Sequence, residues 1–409
     1  VPRMDLRLFR GSALSLASQG IGVIQLFALL WRTGATNATD AYFYLFNLGL
    51  LPTQILTVGV MYPMMLSDDR LSRPGARRLM LAVPALSIAS VLAGSGWLAA
   101  AGRVPDSLLP VVVLAAANAA VQAVLWQRAM AAAASGSPEW EAAVALPANL
   151  LATAVIAVPL SSSTATVTAM MSALLIGNTG FLLAALYRKA GRPALDGLPE
   201  ERTARRGTHW WFLGKSGTGY GGLMVLQSLA VLLPTSALTF LSIAIKIVGS
   251  VAATFVNSVM PKLVHQGTTS PEGGRRFLRL TAATIAPVGV VGVIGVAVVR
   301  PDLTLGALVI ALWLLASSSA ATAQRMAFRF LAPSASRVTL VAVPVVVLLA
   351  AGSASRDSFE LVTLLCAYAG VDALVGALLL LALRDRLMSA VVGAITGALV
   401  TIWVVTLAT

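Results

Sequence analysis

A lysine at position 246 and an aspartate at position 372 each lie deep inside a long apolar stretch. An isolated charge there costs at least about 2.5–3.5 kcal/mol to insert. Lys246 is about 12 residues from Pro234 and about 15 from Pro261, hence roughly 18–22 Å from either helix end at 1.5 Å per residue. Its side chain cannot snorkel that far, so the ammonium must face a cavity or a partner. An ammonium so placed suits a phosphate or another anion. Asp372 is the acidic counterpart, and three roles stay open for it: a structural ion pair with Lys246, a binding site for a coupling proton or sodium ion, or the wall of a wet crevice with no specific role.

Lys215 lies about one turn into its helix, where snorkelling to the surface competes with exposure to a cavity. The run Gly214-Lys215-Ser216-Gly217-Thr218-Gly219 suggests a phosphate loop. The Walker pattern, however, needs glycine where His209 stands and a strand ahead of it. A nucleotide site is therefore excluded. The glycines instead permit close packing or local unwinding, which in transporters can expose backbone amides to an anion. Uncharged polar residues at helix depth include Gln25, Asn47, Gln54, Asn118, Gln122, Asn149, Asn178, Gln227 and Asn257. Most such residues bond neighbouring helices, and Asn118 and Gln122 share one helix face.

Enzyme chemistry finds no support. Cys366 is the single cysteine, His209 and His265 lack metal-ligand spacing, and Ser216 and Cys366 have no neighbouring base. No cofactor is implied.

The elements that must position these residues are thirteen long apolar stretches. They lie near 10–32, 41–66, 79–101, 107–127, 142–160, 164–187, 210–232, 235–260, 277–299, 303–324, 338–351, 359–383 and 387–408. Hydrophobic residues make up 58% of the 409-residue chain and charged ones 11%, with mean hydropathy +0.86. Lipid is the solvent such a surface needs. Runs of about twenty continuous apolar residues predict helices, because barrel strands are shorter and alternate in polarity. Pro52, Pro84, Pro147, Pro287 and Pro344 fall within these stretches, as static bends or as hinges.

Two halves of the chain repeat each other at an offset of about 198 residues. Pro63 followed by Gly75-Ala76-Arg77-Arg78-Leu79 recurs as Pro261 followed by Gly273-Gly274-Arg275-Arg276-Phe277. Gln127-Arg128 reappears as Gln324-Arg325, and Tyr187-Arg188-Lys189 as Leu383-Arg384-Asp385-Arg386. The expected fold is an all-α polytopic membrane protein with two six-helix lobes related by a parallel pseudo-two-fold repeat, plus one C-terminal helix. The corresponding division is 4–190 for the first lobe, 191–208 for a cytoplasmic linker, 209–386 for the second lobe, and 387–409 for the added helix. Gly393 and Gly397 in that last helix have the spacing that lets another helix approach closely, within the chain or in a dimer.

The net charge of +13 follows topology and gives no sign of nucleic acid. Only Arg32, Arg103, Arg300 and Arg356 fall in loops on one side; Lys215 and Lys246 lie within helices, and the rest of the 29 basic residues collect on the other side. Basic loops stay in the cytoplasm, which places the N-terminus there. A high content of alanine, arginine and glycine points to a high-GC bacterium, whose cytoplasmic membrane such helices are expected to cross.

The stretch Ser18-Gln19-Gly20 through Trp31, with Ala38-Thr39-Asp40-Ala41-Tyr42-Phe43, Asn47 and Gly59-Val60-Met61-Tyr62-Pro63, resembles the first two helices of the multidrug/oligosaccharidyl-lipid/polysaccharide exporter superfamily. Within it the lipid II flippase branch is the most similar. Gly249-Ser250 through Val259-Met260-Pro261 fits the same pattern in the second half. The resemblance implies two six-helix lobes moving a substrate by alternating access. It matches Gln19 and Gln25 to positions where that branch carries arginines, and places Gln25, Asn47 and Lys246 on cleft-lining helices. The implied substrate is an anionic lipid-linked saccharide of the polyprenyl-diphosphate type. Lys246, Lys215, Asn47, Gln25 and Gln19 would bind it, and Asp372 would couple a proton or sodium ion. A proton- or sodium-coupled multidrug antiporter of the same superfamily is the alternative.

Overall fold

The computed structural model describes residues 6–66, 72–192, 198, 208–252, 272–330 and 336–408. Asn257, His265, the motif Val259-Met260-Pro261 and most of the linker lie outside these residues. The described chain is helical, without a strand, and each of the thirteen expected stretches falls largely on helix over its described residues, which for 235–260 end at Ala252.

The first is α1 (Leu6–Thr33). The second is α2 (Asn37–Pro52), which continues through a π-helical stretch (Thr53–Met61) into α3 (Tyr62–Leu66). Thr36 opens α2 with a capping box, its hydroxyl accepting the Thr39 N–H while the Thr39 hydroxyl accepts that of Thr36. Pro52 has no N–H to give the α-helical ladder, and the wider i→i+5 winding follows directly after it.

Next come α4 (Arg73–Ala100) and α5 (Leu108–Ala134). The sequence predicts a start near residue 79 for α4, whereas the helix begins at Arg73. Ser72 caps it by accepting the Gly75 N–H at 3.3 Å, and Pro74 sits in the first turn, where its missing N–H costs nothing. The predicted helix 142–160 is split into α6 (Glu139–Ala143) and α7 (Leu146–Ile156). Pro147 is thus a first-turn proline and not a kink in a continuous helix. Then α8 (Ser163–Tyr187) completes the first half.

The second half contains α9 (Thr208–Leu229), α10 (Ala237–Ala252), α11 (Glu272–Val299), α12 (Thr304–Phe330), α13 (Ser336–Ser353) and α14 (Leu361–Ala382). The last helix is α15 (Arg386–Ala408). Nine spans among the described residues are long and apolar enough to cross a bilayer, and the chain is a multi-pass membrane protein.

Two compact units emerge: Val1–Met224 with Pro234–Phe240, and Val225–Leu233 with Leu241–Thr409. In the first, α2, α5, α7 and α8 approach their neighbours through small residues. A Cβ built on Gly177 would lie 2.5 Å from the Ala148 Cα, and one on Gly49 would lie 2.8 Å from the Ala119 Cβ. Buried amides cross-link the same helices. Asn118 on α5 donates to the Met171 carbonyl at 3.0 Å, and Asn178 on α8 donates to Asn118 Oδ1 at 3.2 Å. Each satisfies a polar group that lipid could not.

In the second unit α14 is the most enclosed helix, packed against α12, α13 and α15. Met388, Val392, Ile395, Leu399 and Trp403 form the buried stripe of α15. Gly393 and Gly397 lie off that stripe, with nothing within 4 Å of a Cβ built on either. Among the described residues the glycine pair therefore makes no close helix contact.

Candidate functional site

Asp372 lies near the middle of α14, roughly 15–16 Å from either end at 1.5 Å per residue. Its carboxylate is engaged from α12. The Trp313 indole N–H donates to Asp372 Oδ2 at 2.8 Å, and the Ser317 hydroxyl supplies a second hydrogen bond. Trp313 and Ser317 are four residues apart, so one face of α12 presents both donors. Tyr368, one turn before Asp372, packs its ring against Trp313 with centroids 5.5 Å apart. This fixes the indole orientation and aims its N–H at the carboxylate. Among the described residues no salt bridge joins Asp372 to a basic side chain. The ion pair with Lys246, one of the three roles open to Asp372, is not formed.

Lys246 is half-buried on α10, in the second unit. No described residue gives its ammonium a hydrogen bond or an ion pair. Leu241, Ala244 and Val248 on that helix are buried, and one turn to either side of Lys246 stand Ser242, buried, and Ser250, half-buried. An ammonium here is poorly solvated, and among the described residues no carboxylate compensates it.

The remaining candidates belong to the first unit and fall into two groups. Gln25 is 6% exposed, its amide donates to Met170 Sδ at 3.4 Å, and it shares a hydrogen bond with the Tyr42 hydroxyl. It ties α1 to α2 and α8. Gln19, Asn47 and Lys215 are half-buried. Asn47 has no described partner, while Gln19 and Lys215 each make a polar interaction. Ser216, next to Lys215, presses on the π-helical stretch of α2 at Gly59, where an added Cβ would collide with its side chain. The glycine there is required by this close approach.

Sequence reasoning passed over Asp40. It is 3% exposed and accepts the backbone N–H groups of Ser236 and Thr239, both at 2.8 Å. The Thr239 hydroxyl donates to it as well. Asp40 on α2 is thereby the N-terminal cap of α10, a carboxylate set against the positive end of that helix. Beside it the Thr235 hydroxyl donates to Asn37 Oδ1 at 3.0 Å, and Arg103 donates to Thr235 Oγ1 at 2.9 Å. A usable signal was present: an acid in the first turn of one apolar helix and a Thr-Ser-x-x-Thr run opening its repeat. Trp313 was missed too, because one tryptophan among apolar residues gives no hint of where its N–H points.

No protein-family model matches this sequence, and no curated protein matches it. A solved structure does match in fold: the outward-facing conformation of a multidrug resistance MATE family transporter of the MOP superfamily, at 12% identity and a TM-score of 0.50. The match covers 95% of this chain and 96% of that one. The architecture of this membrane protein is accordingly of the MATE type found in the MOP superfamily.

Proposed function

We propose that the protein is a lipid flippase of this superfamily, carrying an anionic lipid-linked saccharide from the inner to the outer leaflet by alternating access. One observation carries the reading. Lys246 holds a positive charge inside an apolar helix without a described carboxylate to neutralise it, while Asp372 is engaged by Trp313 and Ser317 instead. A diphosphate would meet that ammonium, with Lys215, Asn47 and Gln19 contributing polar contacts to the headgroup. The polyprenyl tail would remain in the bilayer. An inside-negative potential favours outward movement of an anion by about 2.3 kcal/mol per charge per 100 mV. On this reading the N-terminus would lie in the cytoplasm of a bacterium, which the bias of basic residues supports, and the lobes 4–190 and 209–386 would move about the linker 191–208.

The test is headgroup translocation of a fluorescent polyprenyl-diphosphate saccharide in proteoliposomes. Lys246→Ala should abolish it and Lys246→Arg should retain much of it, with both variants eluting as folded protein. Full activity in Lys246→Ala would remove the anion site.

A second reading is favoured by Asp372, whose carboxylate is not consumed by a basic side chain. A proton- or sodium-coupled antiporter would use such a group against an amphipathic cation, and the matched fold is that of a multidrug transporter. Resistance to cationic dyes on expression, lost in Asp372→Asn and kept in Lys246→Ala, would favour this reading over the flippase.

A further inference from the structure

Threonine hydroxyls on the helices of this protein follow a pattern. Thr153, Thr168, Thr284, Thr396 and Thr401 each donate to the carbonyl four residues back, at 2.7–3.0 Å. In α-helical winding that carbonyl lies within reach of the stiff, β-branched side chain, so the helix satisfies its own hydroxyl. Serine turns more freely and is less bound to the pattern: Ser319 and Ser353 follow it, whereas Ser87, Ser242 and Ser318 do not.

Thr53 and Thr57 depart from it. Both are 1% exposed, and neither hydroxyl has a hydrogen-bond partner among the described residues. Thr363 lacks one too, but it stands in the first turn of α14, where the residue four back precedes the helix. Thr53 and Thr57 have no such excuse, since helix runs on before both of them. The backbone accounts for the loss. The Thr53 N–H bonds the Leu50 carbonyl, three residues back, and the Tyr62 N–H bonds the Thr57 carbonyl, five back. Between those points the winding is π-helical, and the carbonyls of Gly49 and Thr53 are carried away from the hydroxyls that would use them.

We infer that α2 has a second winding, α-helical through Thr53 and Thr57, in which the two hydroxyls donate to the Gly49 and Thr53 carbonyls. The two windings have opposed costs. The π-helical one leaves two buried hydroxyls without acceptors. The α-helical one satisfies them but must re-seat Met61 and Met64, which are fully buried in a cluster with Ala76, Met130 and Leu198. Opposed costs of this kind give one element two discrete arrangements, which is what alternating access asks of a helix that changes state. The inference is independent of the substrate carried and of any contact made by Lys246.

Methyl NMR of the purified full chain, labelled at its methionine methyl groups, tests the inference together with thermal unfolding. Wild-type Met61 and Met64 should exchange between two environments. Thr53→Val/Thr57→Val replaces each hydroxyl by a methyl group with little change of shape. It should raise the unfolding temperature, because two buried groups without acceptors are removed. It should also shift the population away from the second winding by about tenfold for each hydroxyl, leaving one set of Met61 and Met64 signals. Thr53→Ser/Thr57→Ser keeps both hydroxyls and should retain the exchange. A lower unfolding temperature in the valine variant, or its failure to fold, would mean that the hydroxyls are already bonded, and overturns the inference. Wild-type methyl groups without exchange, or exchange undiminished in the valine variant, overturn it as well.

Discussion

Asp40 on α2 accepts the backbone N–H of Thr239 at 2.8 Å, so a side chain from one helix supplies the N-terminal cap of another some two hundred residues later. Its removal leaves the Ser236 and Thr239 amides without their acceptor. Asp40→Ala is expected to destabilise the protein by about 2 kcal/mol or more, from the lost cap and the buried donors. Asp40→Asn keeps one oxygen and should cost roughly half as much. Thermal unfolding in detergent gives the magnitudes, and amide hydrogen exchange at residues 236–239 should accelerate in the alanine variant alone.

The bond between Trp313 and Asp372 predicts a measurable coupling. Trp313→Phe keeps the ring stack with Tyr368 and removes only the N–H donor. Hydrogen bonds to charged groups are worth about 1.5–3 kcal/mol. A double-mutant cycle with Asp372→Asn should return an interaction of about 1–2 kcal/mol. Additive single effects would mean that the indole and the carboxylate are energetically independent.

Gly177 is the tightest point between α7 and α8. Its added methyl group would meet backbone atoms of Ala148 at 2.5 and 2.9 Å, and backbone cannot rotate away as a side chain could. Gly177→Ala is expected to cost about 1–3 kcal/mol, read from the unfolding midpoint. Gly180, one turn on, has nothing within 4 Å and serves as the control, with Gly180→Ala near neutral.

On α15 the two faces should respond differently. Val392 is fully buried against the rest of the second unit, and Val392→Ala should cost about 1–2 kcal/mol. Gly397→Leu projects into open space and should change stability by less than about 0.5 kcal/mol. A large loss in Gly397→Leu would show that the glycine face is covered when the protein is in its membrane.

Apolar run length was enough to read the helices, because lipid leaves the backbone few alternatives to satisfying its own hydrogen bonds. Where the sequence misjudged them, local chemistry had intervened. Ser72 and Pro74 start α4 a turn and a half early, and Pro147 opens a new helix instead of bending a long one. Lys246 and Asp372 stood out as charges among apolar residues, but the donors that engage Asp372 did not. Sequence spacing does not say that Trp313 points toward α14, that Gln25 turns inward to Met170, or that Asp40 reaches the first turn of α10. Such facts depend on rotamers and on contacts between helices far apart in the chain.

The π-helical stretch from Thr53 to Met61 has a consequence for how α2 can move. A helix wound with one extra residue per ring can tighten to the ordinary pitch without losing its hydrogen-bonded character. Tightening these nine residues would swivel Tyr62–Leu66 about the helix axis while Asn37–Pro52 stayed where Thr36 anchors it. Gly59, wedged against Ser216, sits within the turns that would rewind. A rotation of that kind would turn directly against Ser216 of α9.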